Sequence, residues 1–343
     1  MSDLFIRKSG RAGRITLTRP QVLNALSWQM CRDIHAALES WRADDEVALV
    51  LIDAEGERAF SAGGDIQEIY ATGMRGDFEY GQNFWADEYR MNAAIDAYPK
   101  PVVTLLQGFT MGGGVGLGCH ASHRVVCETS QIAMPEAAIG LVPDVGGTYL
   151  LANAPGHLGE YLAASVARMG PADAIHAGFA DHYIPREFWL DLVEGLLETG
   201  NAALVAELAE PLPPGPITML QSQIDQLFAG DAAGIIAALE ADGSDFVRAT
   251  RQAVTANSPL AIAAGIVNIR ATRAEGGDII SALKREYRFT SRAVEHGDFL
   301  EGIRAAVIDK DKSPHWQHAS LSQVSADDVA AMLAPLGAED WQA

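Results

Sequence analysis

Two stretches of this chain run from unbroken apolar sequence into glycine: "VALVLIDAEG" followed by "AFSAGGDI" (47–66), and "PVVTLLQG" followed by "FTMGGGVGLG" (101–118). A strand with one wet face alternates apolar and polar residues. An unbroken run suits a strand covered on both faces, as in parallel sheets packed under helices. Parallel neighbours need a crossover, and each run here is followed by a loop and then by helical sequence. Strand, loop and helix alternate over residues 1–150. That order predicts an α/β architecture with a substantially parallel sheet.

The flanking sequence extends this reading. "DLFIRK" (3–8) and "GRITLT" (13–18) predict two short strands around a glycine-containing turn. Leu26, Met30, Ile34, Leu38 and Trp41 recur at helical spacing and predict an amphipathic helix. "VGLGCHASH" predicts the start of another helix, and "HRVVCET" and "QIAMP" predict short strands. From residue 156 the pattern becomes helical, with "GPADA" as a helix start. "EPLPPGP" (210–216) is the linker candidate, because prolines stop helices. The expected division is a catalytic core over 1–210 and a mainly helical C-terminal region over 211–343.

Charge limits the partners. Lys and Arg total 25 against 45 Asp and Glu, a net charge of −20 that disfavours nucleic acid or an anionic membrane. A small anionic ligand would need a local basic patch. No apolar run approaches the ~20 residues that span a bilayer, and the N-terminal stretch has no signal core, so a cytoplasmic protein is expected. Cys31, Cys119 and Cys127 lack C-x-x-C spacing and are expected to be buried thiols. His120 and His123 are three apart with no third ligand nearby, so no metal is expected.

The glycines themselves exclude two readings. Gly112 and Gly114 would need a third glycine at 117 for a dinucleotide fingerprint, and that position is Leu117. No G-x-x-x-x-G-K-[ST] is present. Two readings stay open: tight strand–helix turns, or two backbone N–H groups converging on one oxygen. Glu136 and Asp144, in "MPEAAIGLVPDVGGT", stand among apolar residues. They are either helix-start and turn acids or carboxylates tuned for acid/base chemistry.

Together "RITLTRPQVLNALS", "AFSAGGDI", "GFTMGGGVGLG" and "MPEAAIGLVPDVGGTYLL" resemble the crotonase, or enoyl-CoA hydratase/isomerase, superfamily. The resemblance implies a crotonase-type spiral of ββα units with a helical C-terminal region, and an acyl-CoA thioester as ligand. It implies that the amides of Gly64 and Gly113 hold the thioester oxygen. Hydratases of this superfamily carry a glutamate two residues after the glycine triplet, where this chain has Gly116. The motifs and the tail "DFLEGIRAAVIDKDKSPHWQ" (298–317) instead resemble the subgroup that hydrolyses 3-hydroxyisobutyryl-CoA, a step of valine breakdown. This implies Glu136 as catalytic carboxylate, Asp144 as a second acid near the acyl hydroxyl, and Glu88 as a substrate-contacting acid.

Arg58, with Arg19, Lys310 and Lys312, is a candidate for the CoA phosphates, and Phe299 and Trp316 for the adenine. No cofactor is expected, since coenzyme A is part of the substrate. Relatives of the superfamily assemble as trimers, which leaves a homo-oligomer open. The rival readings are an enoyl-CoA hydratase or isomerase working with Glu136 alone, and a non-catalytic acyl-CoA-binding module.

Overall fold

The computed structural model describes residues 3–343, which divide into two compact units. One unit takes the chain up to Gly64 with Asp87–Ala133 and Met169–Met219. The other takes Asp65–Ala86, Met134–Arg168 and Leu220–Ala343.

The first unit holds both sheets. Strands β1 (Leu4–Ser9), β2 (Ala12–Leu17), β3 (Leu49–Ala54), β4 (Ala59–Ser61), β5 (Val102–Leu106), β6 (Phe109–Met111), β7 (His123–Val126), β8 (Gln131–Ala133) and β9 (His182–Tyr183) follow in chain order. They form a six-stranded sheet, β1-β2-β3-β5-β7-β9, and a three-stranded one, β4-β6-β8. The β1–β2 hairpin is antiparallel, and every later pairing is parallel. β5 is buried along its length and β3 up to its last residue, as their unbroken apolar sequence predicts. Leu49 and Leu51 of β3, Val103 and Leu105 of β5 and Val125 of β7 pack against Trp189, Leu192 and Leu196 of the helix Trp189–Thr199. The three cysteines are free and buried.

One helix differs from expectation. It begins at Gly113 rather than Val115 and closes at Gly118, so Cys119–Ser122 are not helical. The chain turns there to enter β7, and Ser122 Oγ accepts from Val102 N at 2.9 Å, fixing the turn to β5.

The second unit is mainly helical, and its longest helices start where the sequence supplies caps. Ser258 accepts from Ala261 N ahead of Pro259–Glu275, with Pro259 at the first position. Asp278 accepts from Ser281 N ahead of Ile279–His296, and Gly276 at φ 56° ends the helix before it. Glu160 is fully buried within hydrogen-bond reach of Arg273, at 2.8 and 3.0 Å, and of Arg270 at 3.2 Å. Among the described residues no helix is long and apolar enough to cross a membrane.

Candidate active site

In the first unit, the loop after β4 is held by Asn24 from the "PQVLNAL" stretch. Asn24 Nδ2 donates to the carbonyls of Glu55 and Ala59, both at 3.0 Å. Ser61 Oγ donates to Asn24 O at 2.9 Å and accepts from Gly63 N at 3.3 Å. Gly63 sits at φ 104°, where a side chain is strained. A Cβ there would come within 2.9 Å of Met111 O and 3.4 Å of Gly113 N. The two glycine loops therefore pack backbone to backbone.

Gly113 is the first residue of its helix, and the first N–H groups of a helix have no acceptor inside it. Among the described residues, neither Gly64 N–H nor Gly113 N–H donates to a backbone acceptor. A Cβ on Gly113 would lie 3.2 Å from Gly64 N and 2.5 Å from Glu88 Oε1. Glycine is thus what keeps space between the two N–H-bearing loops and the Glu88 carboxylate. Two such donors can take one oxygen that gains negative charge. Glu88 is only 3% exposed, on the helix Glu79–Asp96, so it is no solvated surface acid. Beside it, burial first and then the charges of Glu88 and Asp87 push the Cys31 thiol well up.

In the second unit, Pro135 leads into a short 3₁₀ turn, Glu136–Ile139, and Glu136 and Asp144 are each 4% exposed. Leu141 N donates to Glu136 O at 3.0 Å, and Ser258 N ties the turn to the following helix through Ala137 O at 2.9 Å. After Asp144 the backbone enters a left-handed conformation at Val145 (φ 54°), which is costly for a β-branched residue. Glu286 stabilises this turn. Its Oε2 accepts from Gly146 N at 2.8 Å, and its Oε1 accepts from Thr148 N at 2.9 Å and from the Thr148 hydroxyl. Glu286 is fully buried, and burial pushes its pKa up to about 8. The bonds from Thr148 and Gly146 pull it down, while the charge of Asp144 adds to the rise.

The sequence model for the enoyl-CoA hydratase/isomerase family matches residues 12–333. The chain belongs to that family. It is similar to the mitochondrial 3-hydroxyisobutyryl-CoA hydrolase of Gallus gallus, 36% identical over 359 residues that take in 99% of this chain and 90% of the relative. It is likewise similar to that of Homo sapiens, 36% identical over 352 residues, with 98% and 90% covered. Among solved structures it resembles an enoyl-CoA hydratase from Rhodobacter sphaeroides 2.4.1, with TM-score 0.97 and 55% identity over 100% of both chains. It also resembles a carnitinyl-CoA dehydratase from Mycobacterium thermoresistibile, with TM-score 0.93 and 38% identity over 98% of this chain and 97% of that one. The fold is the α/β crotonase fold of this enoyl-CoA hydratase/isomerase family, with a helical C-terminal region.

The remaining candidates fare differently. Arg58 is exposed just ahead of β4, with its carbonyl accepting from Phe109 N at 3.0 Å. Arg19 turns back onto its own loop, Nη1 donating to Ala25 O at 2.9 Å and Nε lying 3.7 Å from Asp3. Lys310 and Lys312 are exposed. Phe299 is not available to an adenine: it is fully buried, its ring 5.6 Å from that of Trp85. This aromatic serves packing. Trp316 donates from Nε1 to Ala256 O at 3.1 Å. His120 is buried, and His123 Nδ1 lies 2.9 Å from Ser122 Oγ. Among the described residues no group of three or more His, Cys, Asp or Glu is placed to hold a metal.

The sequence reading missed Asn24 and Glu286. Glu286 had a signal: it stands on the apolar stripe of its helix, three residues after Leu283 and three before Phe289.

Proposed function

We propose that the chain hydrolyses the thioester of a short β-hydroxyacyl-CoA, 3-hydroxyisobutyryl-CoA first among them. The observation that carries this reading is Gly116, buried in the helix Gly113–Gly118, where hydratases of the family place a carboxylate. Hydratases that carry that carboxylate use two acids on one water, one giving and one taking protons, whereas thioester hydrolysis and double-bond isomerisation can run with one. The curated relatives, named as hydrolases of this thioester and matched over 98–99% of the chain, support it.

In this mechanism the thioester oxygen accepts from Gly64 N–H and Gly113 N–H as it gains negative charge, each donor contributing ~3–4 kcal/mol in the transition state. Glu136 either takes the proton of an attacking water or adds to the carbonyl itself, and water then cleaves the resulting anhydride. The C–S bond breaks as the tetrahedral adduct collapses, the step that forms the anhydride in the second route, and the departing CoA thiolate takes up the proton that the water releases through Glu136. Asp144 accepts from the β-hydroxyl, and Glu88 contacts the acyl group. Substrates without that hydroxyl leave a buried acceptor unpaired at a cost of ~1–3 kcal/mol. Arg58 meets the CoA phosphates. As a hydrolysis, the proposed reaction needs no cofactor beyond the CoA its substrate carries.

The solved structure named as a hydratase at 55% identity favours a second reading, an enoyl-CoA hydratase or isomerase using Glu136 alone. Free-thiol release from 3-hydroxyisobutyryl-CoA, set beside hydration of crotonyl-CoA followed by ultraviolet absorbance, separates the two. Thiol release that Glu136→Gln abolishes is expected. Fast hydration without thiol release would overturn the hydrolase reading.

A further inference from the structure

The sheet face that packs under the helix Trp189–Thr199 runs on into a cleft of about 590 Å³. Arg14 and Thr16 of β2, Asp53 of β3 and Leu105 of β5 line it, and Trp189 and Arg186 stand beside them. Thr104, the neighbour of Leu105 and so directed to the other face of β5, donates to Gly118 O of the glycine helix at 2.9 Å. The cleft and the glycine loops therefore lie on opposite faces of the sheet.

Arg7, Arg14 and Arg186 face Asp53, Glu55 and Glu187 around this cleft, so it is neutral overall in a chain of net charge −20. β1 and β2 place Arg7 directly opposite Arg14, and like charges so placed destabilise a sheet. Arg14 is matched by Asp53, with Nη2 at 2.6 Å and Nε at 3.0 Å from one oxygen. Arg7 is not matched by a carboxylate among the described residues. Its Nη1 serves Phe5 O at 2.9 Å and Thr16 Oγ1 at 3.0 Å, and the guanidinium lies 3.9 Å over the Phe5 ring. Burial, and then the charge of Arg14, pull its pKa down, while the charge of Asp53 partly opposes them.

Arg186 stacks 4.3 Å over Trp189, whose ring is pinned by a bond from Nε1 to Ile184 O at 2.9 Å. Its guanidinium forms no ion pair among the described residues. The acids at the rim, Glu55 and Glu187, are exposed to water, where their charge is screened.

We propose that this cleft binds a small organic anion, its carboxylate or phosphate held between Arg7 and Arg186 and its apolar part against Leu105, Trp189 and Val193. Planar guanidinium forks match either group bidentately. A bound anion also relieves the Arg7–Arg14 repulsion, so binding and sheet stability are coupled.

The test is the thermal unfolding midpoint of the full chain, titrated with sodium butyrate or with inorganic phosphate at fixed ionic strength. Wild type, R7Q, R186Q and the double variant are compared. A midpoint that rises with anion in wild type is expected, with the apparent Kd at least tenfold weaker in each single variant. A response to butyrate that R186Q weakens assigns the site to carboxylates, and the same result with phosphate assigns it to phosphate esters. Arg186 makes no buried ion pair, so R186Q keeps the result readable if R7Q fails to fold. No response of wild type to either anion, or equal responses in wild type and R186Q, would overturn the proposal.

Discussion

Replacing Glu286 by glutamine tests how the Asp144 turn is held. The carboxyl gives one oxygen to Gly146 N–H at 2.8 Å and the other to Thr148 N–H at 2.9 Å. Glutamine keeps the shape but has a single oxygen. Whichever way its amide turns, one buried backbone N–H then faces an NH₂ group. An unsatisfied buried donor costs ~1–3 kcal/mol, so E286Q should unfold in urea with that much less stability at pH 6. The pH dependence adds a second, independent check.

The folded-state pKa of Glu286 is raised to about 8 from 4.5. A carboxyl shifted upward is protonated in the fold at neutral pH, and the Thr148 hydroxyl can rotate to accept that proton. Its contribution is complete below the unfolded value and is lost as pH rises through about 8. One proton sets a ceiling on the order of 1 kcal/mol per pH unit. Wild type should therefore lose stability relative to E286Q between pH 6 and 8, and the deficit of the variant should shrink. Urea unfolding of both proteins at pH 6, 7 and 8 measures this. A deficit under about 0.5 kcal/mol at pH 6 would refute the reasoning about the two acceptors, since changes that small are ordinary for surface sites. A deficit that stays constant with pH would refute the protonation argument.

Glu160 carries the opposite pH signature. Burial alone would raise its pKa, but the bonds and charge of Arg273, with His157, hold it down at about 2. Its contribution is present above its ordinary pKa and lost as pH falls toward 2. E160Q should cost roughly 2–3 kcal/mol at pH 7, less than a fully buried pair because the arginines are partly exposed, and acid unfolding followed by circular dichroism should lose part of its pH dependence. Gly113→Ala places a Cβ 2.5 Å from Glu88 Oε1 and 3.2 Å from Gly64 N. Thioesterase kcat should fall about 10²–10³-fold with the far-ultraviolet spectrum unchanged, and an unchanged kcat would remove Gly113 from the proposed chemistry. Gly63→Ala should go further and lower the unfolding midpoint as well, because φ 104° is strained for alanine and Met111 O stands 2.9 Å away.

What could be read from the sequence divides by the range of the forces involved. β3 and β5 were legible because burial on both faces leaves an unbroken apolar run, a property local to five or six residues. A cap is an equally local signal, since Ser258 and Asp278 are each satisfied within three residues. The helix at Gly113 was misplaced because glycine carries no periodicity, and the end of that helix is set by Ser122 bonding to Val102, twenty residues away in the chain. Glu286 shows the limit most clearly. Its neighbours "KREYR" make it look like one more surface charge, and the groups that need it, Gly146 and Thr148, lie about 140 residues earlier. Yet its place on the apolar stripe conflicts with its charge, and such a conflict marks a buried acid with a distant partner. A polar group placed where burial disfavours it must be satisfied by something not adjacent in sequence, and for Glu286 the structure shows that partner in the Asp144 turn.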